Sequence, residues 1–269
     1  MKGDALGMSA HGDMNDVIAY YDAHLRGKLE GFVEGNPRVE RAWTRVEQNA
    51  PVSPRRILEL GCGIGDICWR MARRWPETEV VGVDISPKSL EVARKLFQSS
   101  SVSFVEGPLV RGTVTGTFDL IVLMDVYEHI APTERSSLHQ TLVALQSEVC
   151  RIVLSFPTPR HLAWLRTHHP DQIQPVDEDV GLDTLSEFAR DLSTAVLLYE
   201  EVDVWHEGDY VHAVLGKPGP WRPITEAAPK RPSVAKRVRE RMLRSGLVPS
   251  RVERLALVEQ RLGRPYSQS

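Results

Sequence analysis

The chain has 269 residues, 42% of them hydrophobic and 26% charged, with a formal net charge of −3. That length and apolar share suit one large globular domain with appendages, and the charge argues against a general nucleic-acid binder. The charge is uneven: from Lys217 onward 13 Lys and Arg face 4 Asp and Glu, a balance of +9 that leaves −12 for the first 216 residues.

Met1 to Asp13, rich in Gly, Ser, Met and Asp, is expected to be disordered. With Asp4, His11, Asp13 and Asp16 it lacks the apolar region of a signal peptide, and no run of about 18 apolar residues occurs anywhere. The protein is therefore expected to be cytoplasmic, without a transmembrane segment. Cys62, Cys68 and Cys150 show no paired metal spacing and are read as small buried residues in a reducing compartment.

From Met14 to Val33, steps near 3.6 residues through Val17, Ile18, Tyr21, Leu25 and Leu29 predict a helix. A second helix from Pro37 carries Val39, Trp43 and Val46 on one face, among Arg38, Arg41 and Arg45. Ile57 to Leu60 then reads as a buried strand, followed by Gly61, Gly63 and Gly65 and by a helix opening at Asp66. Glycines let the backbone turn sharply and approach a ligand closely. The spacing matches neither the dinucleotide fingerprint nor the phosphate loop, and no lysine follows. About 20 residues on, as in ribose-binding α/β units, the strand Val80 to Ile85 ends in Asp84, placed to take two ribose hydroxyls.

Ser86 and Pro87 start a helix with Leu90, Val92, Ala93 and Leu96 as its buried face. Val102 to Val105 is a third strand, followed by Glu106, Gly107 and Pro108. Phe118 to Met124 is a fourth, with the loop DVYEHI (Asp125 to Ile130) at its carboxyl end.

The glycine loop, Asp84 and FDLIVLMDVYEHI, in that order and spacing, resemble a class I S-adenosylmethionine-dependent methyltransferase. The match runs from Ile57 to about Leu123 and more loosely to Lys217. The resemblance implies an α/β fold: a Rossmann-like, seven-stranded, mostly parallel sheet with a terminal antiparallel strand, an N-terminal helical cap and a C-terminal helical extension. It implies S-adenosylmethionine as cofactor, held by Glu59, Gly61, Cys62, Gly63, Gly65, Asp84, Ile85, Gly107, Asp125 and Val126, with Ile85 on the adenine. The family often places an acid after the glycine of the third strand's loop. Pro108 stands there, so adenine must use other atoms, at Leu109 or Glu106. The cap, residues 14–50, is expected to bring Tyr21 and Arg41, with Tyr20, to the methionine end and the substrate.

His129 is the best-placed base by residue type, because its ordinary pKa is near neutrality. Glu128 joins it as a catalytic candidate. Asp125, Glu128 and His129 also resemble the E-x-x-E-H segment of quinone-pathway O-methyltransferases, where those side chains hold a divalent ion such as Mg²⁺. A structural role for His129 and a capping role for Glu128 stand beside these readings.

A helix follows from Pro132 through Leu138, Leu142 and Leu145, and Arg151 to Phe156 is the fifth strand. Residues 157–183 lie where the family inserts a lid over the acceptor; His161, His168 and His169 are its candidate substrate or metal contacts. PTPRHLAWLRTHHPDQIQPVDE and, nearer the start, KLEGFVEGNPRVERAW look like stretches of bacterial methyltransferases acting on polysaccharides and other glycans. A helix from Thr184 capped by Asp183 and strands over 195–204 and 210–216 complete a methyltransferase domain spanning 14–217.

Residues 218–232 form a Pro-rich linker, and 233–269 a basic extension with two short amphipathic patterns: Val234, Val238 and Met242, then Val252, Leu255, Val258 and Leu262. The extension is expected to dock on the acidic body, to form a homodimer contact, or to meet an acidic partner or membrane surface. The leading functional expectation is an O-methyltransferase for a hydroxyl of a glycan-type acceptor. Its alternatives are a small-molecule O- or N-methyltransferase, for a quinone-like phenol or a natural product, and a non-catalytic cofactor-binding scaffold subunit.

Overall fold

The computed structural model describes residues 14–219, 249–263 and 265–266. Seven strands form one sheet: β1 (Arg56–Leu60), β2 (Glu79–Asp84), β3 (Val102–Glu106), β4 (Phe118–Met124), β5 (Gln146–Pro157), β6 (Ala195–Val202) and β7 (Tyr210–Gly216). Their order is β3-β2-β1-β4-β5-β7-β6. β1 pairs parallel with β2 and β4, and β2–β3 and β4–β5 are also parallel, while β7 runs antiparallel between β5 and β6. The expected fold class is thus the observed one.

The central strands β1 and β4 are apolar on both faces because both faces are covered. In β1, Ile57 points into one core with Val80, Leu120 and Val153, and Leu58 points into the other with Val81, Ile121 and Ile152. Strand order reverses at β1 and β4, so their carboxyl ends open a crevice between the flanking connections. That is where an open α/β sheet receives its ligand.

The expected single helix over 14–33 is two helices, α1 (Met14–Ala23) and α2 (Leu25–Glu34). The break falls at His24, whose Nδ1 takes the Tyr20 carbonyl at 2.7 Å, and the following turn contains Gly27, a poor helix former. α3 (Pro37–Asn49) is capped by the Asn36 side chain and opened by Pro37. α4 (Asp66–Arg74), α5 (Pro87–Phe97) and α6 (Pro132–Leu145) connect the parallel strands. β5 starts at Gln146, earlier than the apolar run, because it continues directly from the end of α6.

The insertion after β5 folds into α7 (Pro159–His168), a 3-10 turn over Pro170–Gln172 and a loop that leads to α8 (Leu182–Asp191). Gly181, not Asp183, is the residue before α8.

Of the C-terminal extension, α9 (Arg251–Leu262) has the Ser250/Glu253 capping box and ends at left-handed Gly263. It docks on the body against α2 and α5, with Val258 fully buried and Leu255, Leu262 and Tyr266 packed beside it. Arg251 Nη2 donates to Glu34 Oε1 at 2.7 Å, and Arg254 Nη1 lies 3.6 Å from Glu40 Oε1. Residues 1–13, residues 220–232 of the expected linker and the helical pattern through Val234, Val238 and Met242 lie outside the described residues.

Candidate active site

The first half of the site is the turn from β1 to α4. Gly61, Gly63 and Gly65 all have positive φ (70°, 52° and 86°). A side chain on Gly61 would collide with Val126 Cγ2, and one on Gly65 would meet the Phe104 ring at 2.8 Å. Gly63 differs: its nearest neighbour is the Lys28 side chain at 3.7 Å, so the absent side chain leaves room above the loop. Asp84 shapes this cradle. Its Oδ2 accepts from Gly63 N at 2.7 Å and its Oδ1 from Ser86 N at 2.8 Å. A carboxylate accepts about four hydrogen bonds, so Asp84 keeps capacity for two hydroxyls. Glu59 lies beneath, 3% exposed, with Oε2 unpartnered; burial pushes its carboxyl up to about 8. Gly107, at φ 121°, has open space where a side chain would be, and its N–H donates to the Asp84 carbonyl at 2.9 Å. These features fit a ribosyl cofactor such as S-adenosylmethionine.

The second half is the loop after β4. Asp125 sits at φ 54°, an unusual conformation for a non-glycine residue that turns the chain sharply at the strand end. Tyr127, in the 3-10 turn Tyr127–His129, anchors the loop: its hydroxyl meets His139 Nε2 at 2.9 Å, and His139 Nδ1 meets Asp191 Oδ2 at 2.7 Å. Stacking of Tyr127 on Phe188, with centroids 4.5 Å apart, holds the ring from below. The loop therefore presents Glu128 and His129 from a fixed base.

The insertion meets this loop directly. Glu178 N donates to the Glu128 carbonyl at 2.9 Å. His129 Nδ1 lies 2.7 Å from the Val176 carbonyl and 3.0 Å from Asp177 Oδ1. A carbonyl only accepts, so Nδ1 carries the proton, and Nε2 is the nitrogen left for chemistry, 3.6 Å from Glu128 Oε1. Burial alone would lower the His129 pKa, but Glu128, Asp177 and the Val176 carbonyl together raise it to about 9. Burial raises Glu128, and the adjacent His129 draws it back down. Both Glu128 oxygens are buried without a hydrogen-bond partner, as are Asp125 Oδ1 and Gln174 Oε1. Buried polar atoms left unpaired are costly, and all of these belong to residues that line one cavity.

Between loop and insertion is a cavity of about 480 Å³. Its inner wall holds Arg38, Asp125, Glu128, His129, Asp177 and Tyr210; its more exposed outer wall holds Trp164, Trp205, His161, His169 and His206. Arg38 Nε lies 3.1 Å from Asp125 Oδ2, and its Nη1 donates to the Tyr210 hydroxyl at 3.3 Å. The cap thereby joins cradle to cavity. Tyr21 sits at the seam: its ring is 6.4 Å from that of His129, and the charges of Glu128, Asp84 and Asp177 add to burial in raising its hydroxyl pKa.

Residues 57–147 match a family model described as a methyltransferase domain. Over those residues the chain carries a methyltransferase domain. The demethylmenaquinone methyltransferase of Thermus thermophilus is 32% identical over 44% of this chain and 55% of that protein. A malonyl-[acyl-carrier protein] O-methyltransferase of Halalkalibacterium halodurans is 30% identical over 52% of this chain and 54% of that protein. The release factor glutamine methyltransferase of Deinococcus radiodurans is 35% identical over 32% of each chain. The chain thus spans about half the length, or less, of these curated relatives. Among solved structures, an S-adenosylmethionine-dependent methyltransferase of Anabaena variabilis superposes with a TM-score of 0.58, at 16% identity, covering 78% of this chain and 99% of that one. At that identity the likeness is one of fold.

Within the methyltransferase domain, the structure brings Glu59, the three loop glycines, Asp84 and Gly107 to one crevice, with Cys62 buried in the loop and Val126 against Gly61. Ile85 follows directly on Asp84, half-buried at the end of β2. Tyr21, His161 and His169 reach the site; Arg41 and His168 are exposed and do not line the cavity. Arg38, one helical turn before Arg41, takes the inward place. Asp125, Glu128 and His129, the expected Mg²⁺ group, adjoin one another, but Asp125 is paired with Arg38 and His129 with Asp177. Among the described residues, metal-ligating atoms converge within 4.8 Å elsewhere, at His161, His206 and Asp209. Asp177, Trp205 and Tyr210 received no role from sequence. Asp177 lies near the end of PTPRHLAWLRTHHPDQIQPVDE, so a signal was present without a partner to give it meaning.

Proposed function

We propose that this protein transfers the methyl group of S-adenosylmethionine to an oxygen or nitrogen of a small-molecule acceptor bound under the insertion 157–183. The observation that carries it is the pairing of His129 with Asp177 at the meeting point of the Gly61–Gly65 cradle and the cavity. Bound S-adenosylmethionine supplies an electrophilic methyl carbon on a sulfonium. Glu59, the glycine loop and Asp84 hold that cofactor, and Asp125 or Glu128 accepts from its ammonium. The cavity wall orients the acceptor and keeps water out, effects worth up to about 7–11 kcal/mol in well-aligned reactions. Transfer would form the bond from the acceptor's lone pair to that carbon as the carbon–sulfur bond breaks and leaves a neutral thioether, and the acceptor's O–H or N–H proton would pass to Nε2 of His129, or to Glu128 beside it. Asp177 fixes the imidazole with Nδ1 protonated, so that Nε2 is the basic atom.

The small-molecule reading draws on the relatives' names, which specify demethylmenaquinone and, for a plant enzyme of Rauvolfia serpentina that is 33% identical over 30% of this chain, ajmaline N-methylation. The glycan acceptor has less support, although an outer wall of indole and imidazole rings is also compatible with a sugar. Buried, unpartnered Glu128 beside His129 favours an enzyme over a scaffold.

Calorimetric titration with S-adenosylmethionine, followed by methyl-label transfer onto a panel of phenols, amines, carboxylic acids and sugars, tests the proposal. Cofactor binding that vanishes in Asp84→Ala and label transfer to a phenol or amine are the expected results. Absence of cofactor binding overturns it, and transfer to sugars alone restores the glycan reading.

A further inference from the structure

We propose that His161, His206 and Asp209 form a binding site for a first-row transition-metal ion of the Zn²⁺ or Co²⁺ class at the outer mouth of the acceptor cavity. The three come from two elements. His161 is in the first turn of α7, and His206 and Asp209 are on the turn between β6 and β7. One ligand atom from each lies within 4.8 Å of the others. Imidazole nitrogen with a single carboxylate oxygen suits Zn²⁺, Co²⁺ or Ni²⁺ and does not suit Mg²⁺, which prefers an all-oxygen shell.

The placement is built, not incidental. Thr158 Oγ1 caps α7 by accepting from His161 N at 3.2 Å and donates to the Gly208 carbonyl at 3.0 Å, and Arg160 Nη2 donates to the Glu207 carbonyl at 2.7 Å. These bonds stitch the start of α7 to the β6–β7 turn, so the two histidines face each other across a fixed gap, ring centroids 5.8 Å apart. Asp209 is 2% exposed and accepts from the N–H groups of Val204, Trp205 and His206. These bonds hold the carboxylate so that it cannot rotate away. Oriented ligands of this kind are what a metal site needs from its surroundings. Both histidines also line the cavity, so an ion there would keep a coordination position open to a bound acceptor.

The full chain, stripped with chelator and desalted, is titrated with ZnCl₂ by calorimetry and with CoCl₂ by visible absorption. One equivalent is expected to bind, with cobalt bands typical of nitrogen ligation. His161→Ala and His206→Ala each weaken binding by about tenfold or more, while the double variant His168→Ala/His169→Ala stays within about twofold of wild type. Both replaced side chains are at least partly exposed, and unchanged melting of the metal-free variants shows that they fold. No saturable binding overturns the proposal. So does binding that survives His161→Ala/His206→Ala, or binding lost with His168 and His169, which would be adventitious capture by exposed imidazoles. The readout is ion binding and does not depend on whether methyl transfer is observed.

Discussion

Asp177, on the insertion after β5, places its Oδ1 3.0 Å from Nδ1 of His129, on the loop after β4. The two residues are 48 positions apart in sequence, and their contact joins the insertion to the proposed reaction centre. Asp177→Asn keeps the shape and removes the charge that helps to raise the His129 pKa. Turnover is expected to fall by about 10²-fold, within the range of a lost acid–base contribution, while cofactor affinity measured by calorimetry stays near wild type. A loss of cofactor affinity equal to the loss of turnover would show that Asp177 acts by building the site.

The pH profile follows from the direction of the His129 shift. Its folded-state pKa is raised from 6.5 to about 9, so the protonated ring is the favoured form. Below the unfolded value this protonation stabilises the fold in full, and that contribution is lost as pH rises through about 9. The basic form of Nε2 appears over the same interval, so methyl transfer should climb on the alkaline side of neutrality. In Asp177→Asn the limb should move toward lower pH. A limb that stays in place in that variant assigns the titration to another group.

Two glycines separate folding from binding. Gly61→Ala puts a methyl group onto Val126 Cγ2 at φ 70°, so it should lower both thermal stability and cofactor affinity. Gly63→Ala, with 3.7 Å to its nearest neighbour, should cost stability only through its φ of 52°, about 1–2 kcal/mol. Its methyl group still enters the cradle, so a tenfold or greater loss of cofactor affinity is expected. Denaturant melts and calorimetry on both variants give the comparison.

The docking of α9 rests on its apolar stripe and much less on its charges. Val258 is fully buried, whereas Arg251 and Glu34 stay about half exposed, and exposed ion pairs contribute little. Val258→Asp should release α9 and lower the melting temperature, by the loss of roughly 1.5–3 kcal/mol of burial plus the cost of a buried charge. Arg251→Ala should be nearly silent. Greater sensitivity of melting to salt than to Val258→Asp would reverse that ranking.

Much of the scaffold was legible in the chain. A buried β1 run, three glycines in five positions and an acid ending β2 constrain backbone conformation and ligand approach locally, so Gly61, Gly63, Gly65 and Asp84 could be placed from spacing alone. The extent of β4 and the position of DVYEHI followed, because a strand covered on both faces announces itself by unbroken hydrophobicity. The cradle and the loop facing it were thus readable from local pattern, and the sheet order from the resemblance that pattern carries.

Which side chains face each other across that crevice depends on how distant elements pack. Arg38 and Arg41 lie on one helix a turn apart, and helical periodicity cannot choose between them until α3 is set against β4 and β7. Asp177 and His129, or His161 and His206, meet because the insertion folds back over the strand ends. Such contacts depend on the path of a connection, which leaves no period in the sequence. The docking of α9 on α2 and α5 has the same origin: burial against a distant partner completed a local preference.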